Sequence, residues 1–438
     1  MLKVLKFGGS SMADAKQLEK VKKIIEADPA RKVIVVSAAG KRFSDDHKIT
    51  DLLYLCYAHK KYGVSAEPIF DIIRQRYKEI KSDLGLATDI EKDLDAIWEK
   101  LESGISQDEL VSRGEYLAAR LMADYMGFDF LDATMWLHFN MDGSINQELS
   151  YEALRHAADG RKVVIPGFYG ILPDGKIKVF SRGGSDITGA LAAAALDADV
   201  YENWTDVSGF LMADPRIVDN PKTIARITYS ELRELSYLGA QVLHEGTIFP
   251  VREKNIPLNV RNTNEPDHPG TLIMENFEET SGDDENIITG IAGRKNFTSV
   301  NVCKSGFSSE VGAIMKMLSV FEKYDLSVEF VPSGIDSVSY VVDSAKASPV
   351  IYSVVSDIQK VYKPDSITFT ENIAVVAAVG RKMAKKSGTS GKIFAALGEQ
   401  GINIRMISQG PDELNIIVGV DNKDFERAIR VLYDNFVN

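Results

Sequence analysis

From residue 2 to about residue 273, short β-branched apolar runs alternate with stretches of helical period, and no other feature constrains the fold as strongly. Residues 4–7 read as a strand, 17–27 as a helix and 33–37 as a strand again. Parallel strands cannot be joined by a tight turn, so a crossover helix must return the chain to the same edge. Alternation of this kind therefore predicts a mainly parallel sheet sandwiched by helices. Residues 51–101 interrupt the pattern with a polar, helix-rich stretch, expected to pack on the sheet as a helical excursion. Strands resume at 163–166. Pro173-Asp174-Gly175 has the chemistry of a turn between two short strands, and 181–199 reads as a glycine-opened, alanine-rich helix.

The composition changes at residues 275–285, a polar, acidic segment without apolar period that reads as a linker. Beyond it lies a strand at 299–303, a helix at 310–324, strands at 327–332 and 337–342, a helix at 348–362 and a strand at 366–370, the order βαββαβ. A second copy follows, with a strand at 373–379, a helix at 390–400, strands at 402–408 and 413–420 and a helix at 423–435. That copy is one strand short. The apolar run at 287–291 can supply the missing strand, which would interlock the two copies. The expected division is a large α/β domain at 1–285, a first βαββαβ domain at 286–371 whose strand 286–292 can be donated to the next, and a second such domain at 372–438.

A chain of 438 residues with 45% hydrophobic composition is too long for one core, in keeping with this division. Its net charge of −12 argues against nucleic-acid or anionic-membrane partners, both of which reward a basic surface. Cys56 and Cys303 lack metal or disulfide spacing, and the six histidines show no HExxH pattern, so no protein-held metal is expected. The N-terminus has no signal-peptide h-region, and no run of eighteen apolar residues occurs, pointing to a cytoplasmic protein.

Chemistry concentrates in three glycine-bearing turns, each after a strand. Lys6-Phe7-Gly8-Gly9-Ser10-Ser11 lets the backbone approach an anion, with a helix N-terminus behind it and Lys6 as a point charge. Alone, a Gly-Gly turn is explained equally by a plain connection. Ser181-Arg182-Gly183-Gly184-Ser185-Asp186 joins an arginine suited to a carboxylate with an aspartate suited to an ammonium group or a magnesium-bearing phosphate. An amino acid offers both a carboxylate and an ammonium; an Asp capping the alanine-rich helix explains Asp186 as well. Trp204-Thr205-Asp206-Val207-Ser208-Gly209, leading to Asp214-Pro215-Arg216, can present Thr205 and Asp206 to a nucleotide and Arg216 to phosphate. Three such loops are what a ligand crevice at the carboxyl edge of an α/β sheet requires. Gly170-Ile171-Leu172-Pro173-Asp174-Gly175-Lys176 matches P-loop spacing, but Ile177 replaces the needed hydroxyl and the Pro-Asp-Gly centre is a hairpin turn.

Together these motifs resemble the aspartokinase branch of the amino-acid kinase family, over essentially the entire chain. KFGGSS resembles the family's KFGGTS, Val36-Ser37-Ala38 its VSA, Ile49-Thr50-Asp51 its TD turn and Ser112-Arg113-Gly114-Glu115 its GE helix start. Arg182 to Asp186 resembles RGGSD, and Thr205-Asp206 through Asp214-Pro215-Arg216 resembles TDVxG…DPR. The resemblance implies an amino-acid kinase fold followed by two ferredoxin-like ACT domains, and ATP-dependent phosphorylation of the aspartate side-chain carboxylate, the first step toward lysine, threonine and methionine. It implies that Lys6 bridges the γ-phosphate and the attacking carboxylate, that Gly8, Gly9 and Ser10 cradle phosphate, and that Arg182 grips the α-carboxylate. Glu115 and Asp186 would hold the ammonium group, with Ser37, Thr50 and Ser185 on the substrate side. The nucleotide side would comprise Lys6, Thr205, Asp206, Leu211, Arg216 and Gln241, with Mg2+ accompanying ATP. Leu211 stands where the family usually has tyrosine, and Gln241 where it often has lysine.

The tail is similar to the paired ACT domains of lysine-sensitive members. Ser305, Gly306, Phe307, Ser327, Val328 and Glu329 resemble the positions that hold the effector, with Glu329 where relatives tend to have Asp. Lysine is the implied feedback inhibitor and threonine the alternative, and ACT pairing implies self-association. A non-catalytic amino-acid sensor on a kinase scaffold is the rival class, motivated by Leu211 and Gln241. Glutamate or uridylate kinases share the fold, but nothing in them predicts the doubled βαββαβ tail.

Overall fold

The strands Lys3–Phe7, Arg31–Val36, Val163–Pro166, Val200–Thr205 and Leu258–Asn262 form the centre of one sheet. The structure is a computed structural model that describes residues 1–181, 183–240, 245–277 and 286–437. Its chain divides into two units. The first comprises Met1–Phe210, Ala225–Tyr229 and Leu243–Phe277; the second comprises Leu211–Ile224, Ser230–Val242 and Glu278–Asn438.

Among the described residues, the first unit's main sheet has eight strands in the order Asp129–Phe130, Val163–Pro166, Arg31–Val36, Lys3–Phe7, Val200–Thr205, Leu258–Asn262, Thr271–Met274, Arg226–Thr228. From Asp129–Phe130 to Leu258–Asn262 every neighbouring pair is parallel. Val33, Ile34, Val35 and Val36 are all buried, the mark of a strand covered on both faces. The helical excursion resolves into Ile49–Lys61, Glu67–Leu84 and Ile90–Ser103, followed by Gln107–Met126. Local signals set their ends: Asp89 and Ser106 cap helix N-termini by accepting from Lys92 N and Glu109 N, and Gly85 and Gly127 close helices at φ 63° and 64°. Phe70, Ile73, Tyr77, Leu94 and Leu117 share one core with Leu5, Phe7, Ile34 and Val36. Each such side chain contributes about 1.5–3 kcal/mol on burial. The Pro173-Asp174-Gly175 turn joins the antiparallel strands Tyr169–Ile171 and Ile177–Val179, with Gly175 at φ 82°.

The second unit holds a six-stranded antiparallel sheet in the order Val328–Phe330, Ser337–Asp343, Gly290–Cys303, Ser366–Val379, Asn415–Asp421, Met406–Ser408. Helices Ala313–Lys323, Ile351–Tyr362, Thr389–Glu399 and Phe425–Phe436 accompany it. The strands read separately at 366–370 and 373–379 are one strand, Ser366–Val379, and residues 290–303 likewise form one strand of 14 residues. Polar pairs made both look interrupted. Lys295-Asn296 and Glu371-Asn372 have turn composition, yet Asn296 and Asn372 take φ 69° and 60° within continuous strands, with register irregularities around Arg294 and Phe297. Asparagine tolerates the left-handed conformation, so the strands absorb a bulge there rather than break. Gly290 to Arg294 pairs with Val379 to Val375, and Ser299 to Cys303 with Thr370 to Ser366.

Candidate active site

Because the central strands of the first unit are parallel, their carboxyl ends share an edge, and Lys3–Phe7, Arg31–Val36 and Val200–Thr205 carry loops that the sequence singles out, whereas residues 181–186 follow Ile177–Val179 of the two-stranded sheet. Single backbone bonds extend the ladder one residue past the strands. Gly8 N donates to Trp204 O at 2.9 Å, Ser37 N to Phe7 O at 3.1 Å, Gly167 N to Val36 O at 2.9 Å and Thr263 N to Thr205 O at 2.9 Å. The strand order reverses about Lys3–Phe7, which has Arg31–Val36 on one side and Val200–Thr205 on the other, the place where a ligand crevice opens in such a sheet.

Gly8 leads into a short 3-10 turn, Gly9–Met12, closed by Ser11 N donating to Gly8 O. Gly40, in the loop after Arg31–Val36, packs directly on it: a Cβ on Gly40 would lie 2.5 Å from Gly9 C and 2.8 Å from Ser10 N, and Gly40 N donates to Gly9 O at 2.8 Å. Only glycine fits that approach. Lys6, the penultimate residue of its strand, is 7% exposed, and its Nζ lies 2.6 Å from Asp186 Oδ1. A buried ammonium requires such a partner. Asn203 Nδ2 donates to the same oxygen at 2.9 Å. Asp186 sits in the first turn of Gly184–Ala195, whose N-cap Gly183 has φ 61°; Ser185 in the same turn is buried so closely that a Cβ on Gly167 would lie 2.7 Å from its Cβ and Oγ. The structure thus brings the Lys6 and Asp186 motifs, 180 residues apart in sequence, into one ion pair.

Asn203 went unread in the sequence. Its signal is a buried polar side chain on Val200–Thr205, paired in register with Lys6.

Glu115, on Gln107–Met126, is 4% exposed, and its Oε2 has no hydrogen-bond partner among the described residues. Burial pushes its carboxyl up to about 8, against the pull of the Ala38 amide and its own backbone amide. Gly114 before it rests on Ala38, where an added Cβ would come within 2.8 Å of the alanine Cβ. Thr50 opens Ile49–Lys61, which is fixed by Ile49 N donating to Ala39 O at 3.1 Å. Ser37 and Thr50 therefore flank one loop. Thr205 Oγ1 donates to the neighbouring Asp206 at 3.2 Å.

Arg182 and Gln241 lie outside the described residues. Leu211 and Arg216 belong to the second unit, where Arg216 forks onto Asp214 within two residues, its Nη2 2.6 Å from Oδ2, and holds that carboxyl below the usual carboxylate range.

In the second unit, Ser305 N donates to Asp365 and Gly306 N to Asp336, each at 2.8 Å, while Phe307 is buried edge-on to Tyr362. Val328 and Glu329 lie on the edge strand Val328–Phe330, directly after the exposed Ser327. Glu329 Oε2 accepts from the Tyr237 hydroxyl and lies 3.9 Å from Arg294 Nη1. Its carboxylate is thus engaged within the chain, not simply exposed to solvent.

The sequence pattern of the Amino acid kinase family matches residues 1–262, and that of an ACT domain matches residues 376–436. Aspartokinase 3 of Bacillus subtilis is 35% identical over 451 residues, spanning 99% of this chain and 98% of that protein. The crystal structure of Clostridium acetobutylicum aspartate kinase superposes with a TM-score of 0.89 at 49% identity, covering 99% of both chains. E. coli aspartokinase III, 25% identical with full coverage of both chains, gives TM-scores of 0.71 in complex with aspartate and ADP (R-state) and 0.73 in complex with lysine and aspartate (T-state).

Proposed function

Because the chain belongs to the amino acid kinase family, as an aspartokinase that phosphorylates aspartate with ATP, we propose that the Lys6–Asp186 pair is the resting form of its transfer site. The 2.6 Å pair held between two glycine-rich turns at one sheet edge carries this reading. Aspartate's side-chain carboxylate is already ionised and nucleophilic at neutral pH, so no general base is needed. A carboxylate oxygen bonds to the γ-phosphorus as the bond to the ADP oxygen breaks, and the task is to bring two anions together. When the substrate ammonium arrives at Asp186, Lys6 is freed to bridge the γ-phosphate and the attacking carboxylate, with Gly8, Gly9 and Ser10 around the phosphate. Glu115 shares the ammonium, while Ser37, Thr50 and Ser185 orient the substrate. Arg182 takes the α-carboxylate, and Thr205, Asp206, Leu211, Arg216 and Gln241 the nucleotide; for Arg182, Leu211, Arg216 and Gln241 the support is the sequence resemblance alone.

Magnesium would accompany ATP, bound mainly by its phosphate oxygens, and would supply charge neutralisation there, while Asp186 stays with the substrate ammonium. We assign residues 1–285 to catalysis, 286–371 to a first ACT domain and 372–438 to a second, with the strand at 286–292 donated to the second copy. Pairing of Gly290 to Arg294 with Val379 to Val375 supports that donation.

Lysine is the effector we favour over threonine, because Glu329 offers a carboxylate to a side-chain ammonium. Self-association runs through the ACT domains, and the exposed Val311, Met315 and Ile335 around helix Ala313–Lys323 are compatible with it. No helix among the described residues is long and apolar enough to cross a membrane, and we place the enzyme in the cytoplasm. The sensor reading is not favoured, since the relatives that match end to end are aspartokinases.

The test is ATP consumption with aspartate in hydroxylamine, which traps the acyl phosphate as aspartyl hydroxamate. Lys6→Ala is expected to lower turnover by about 10²–10³, the cost of losing one charge-stabilising group. Undiminished hydroxamate formation in the folded mutant would remove Lys6 from the reaction.

A further inference from the structure

Arg76 occupies a position that the helical period reserves for an apolar side chain. On Glu67–Leu84 the buried residues are Phe70, Ile73, Arg76, Tyr77 and Ile80, and Arg76 is 2% exposed. Its guanidinium does not face solvent or a surface acid. Nη2 bonds both oxygens of buried Asp46, at 2.8 and 2.7 Å, and Nη1 donates to Gly40 O at 3.0 Å and reaches Ala13 O at 3.5 Å. Asp46 is also held by Arg42, through the backbone N–H at 3.0 Å and Nε at 2.8 Å. Gly40 in turn lies against the Gly9–Ser10 peptide, and Ala13 directly follows the Gly9–Met12 turn. One buried cation therefore reaches the backbone on both sides of the proposed phosphate cradle, Gly40 packed against the Gly9–Ser10 peptide and Ala13 just after the turn. The next residue does the same for the other substrate: the Tyr77 hydroxyl, fully buried, donates to Gly114 O at 2.7 Å, the peptide that carries Glu115.

We propose that Arg76 and Tyr77 are paired positioning residues, Arg76 setting the Gly9–Gly40 cradle for the nucleotide phosphates and Tyr77 setting Glu115 for the aspartate ammonium. The inference rests on the site assignment above. It gives the helical excursion a function beyond covering the sheet, since adjacent residues of one helix fix the two halves of the site relative to each other. A planar fork with several donors is needed to hold Asp46 and Gly40 at once, and lysine cannot reproduce it.

The experiment measures KM for ATP and for aspartate, kcat and melting temperature in Arg76→Lys and Tyr77→Phe, beside Lys6→Ala. Arg76→Lys is expected to raise KM for ATP about tenfold with KM for aspartate within about twofold, and Tyr77→Phe to do the reverse. A residue that only stabilised the fold would lower the melting temperature without such a split. Should Arg76→Lys not fold, Asp46→Asn, which loosens the same grip, carries the same expectation for ATP. If both KM values move together, or neither moves while the melting temperature falls, the inference is overturned and the cradle assignment stands. Undiminished turnover in Lys6→Ala overturns that assignment and the inference with it.

Discussion

In the role proposed for it toward the substrate ammonium, Glu115 would have to lose a proton that burial makes it keep. With its carboxyl raised to about 8, it is neutral at pH 7 in the free protein, and a neutral acid does not attract an ammonium group. Aspartate binding is therefore expected to expel a proton below about pH 8, and KM for aspartate to fall as pH rises toward that value. Calorimetry in two buffers of different ionisation heat reads the proton directly; no release at pH 7 would show that Glu115 does not meet the substrate. Glu115→Gln should flatten the KM profile. For folding the sign is opposite: the native state holds this proton more tightly than the unfolded chain, so this group's contribution to stability declines from about pH 4.5 to about pH 8. Glu115 and Lys6 could be singled out as candidates because they stand in short motifs of distinctive composition. Asn203 and Arg76 were not, because each is one polar residue in an otherwise apolar strand or helix stripe, and pattern reading assigns such positions to core or surface without seeing the partner.

At the scale of elements, the parallel strands and the regulatory helices could be placed from apolar period, with ends displaced by a few residues. The errors came where backbone conformation, not composition, decides continuity: two asparagines at positive φ carry long strands through polar pairs that look like turns. Those long strands leave a specific vulnerability. A Cβ on Gly293 would lie 2.5 Å from Val375 O and 2.7 Å from a Phe425 ring carbon, where the paired strands meet the helix Phe425–Phe436. Gly293→Ala should cost the regulatory unit about 1–3 kcal/mol by overpacking. Thermal unfolding of the full chain tests this; an unchanged transition would mean that the strands part without penalty at this point.

For the molecule as a whole, the expectation is inhibition by millimolar lysine, lost in Glu329→Ala, with threonine as the comparison. Insensitivity of the unmutated enzyme to lysine would sink that choice of effector. An arriving ammonium would compete with the Tyr237 hydroxyl for Glu329, and Tyr237 ends a helix whose buried Glu231 accepts from Arg381 N at 2.7 Å and Thr289 Oγ1 at 2.6 Å. The contest would thus be felt along an element already tied to a turn of the regulatory sheet. What the sequence by itself determined is the fold class, the doubled regulatory tail and the motifs that carry charge, because strand and helix periods and glycine-rich turns are local properties written in consecutive residues. Only the tertiary structure decided that Lys6 and Asp186 form one pair, that Arg76 reaches Gly40 and Asp46, and that separate-looking strands are continuous. These are matters of which distant groups meet once the core closes, and of which buried charges must then find partners, and no local pattern contains them.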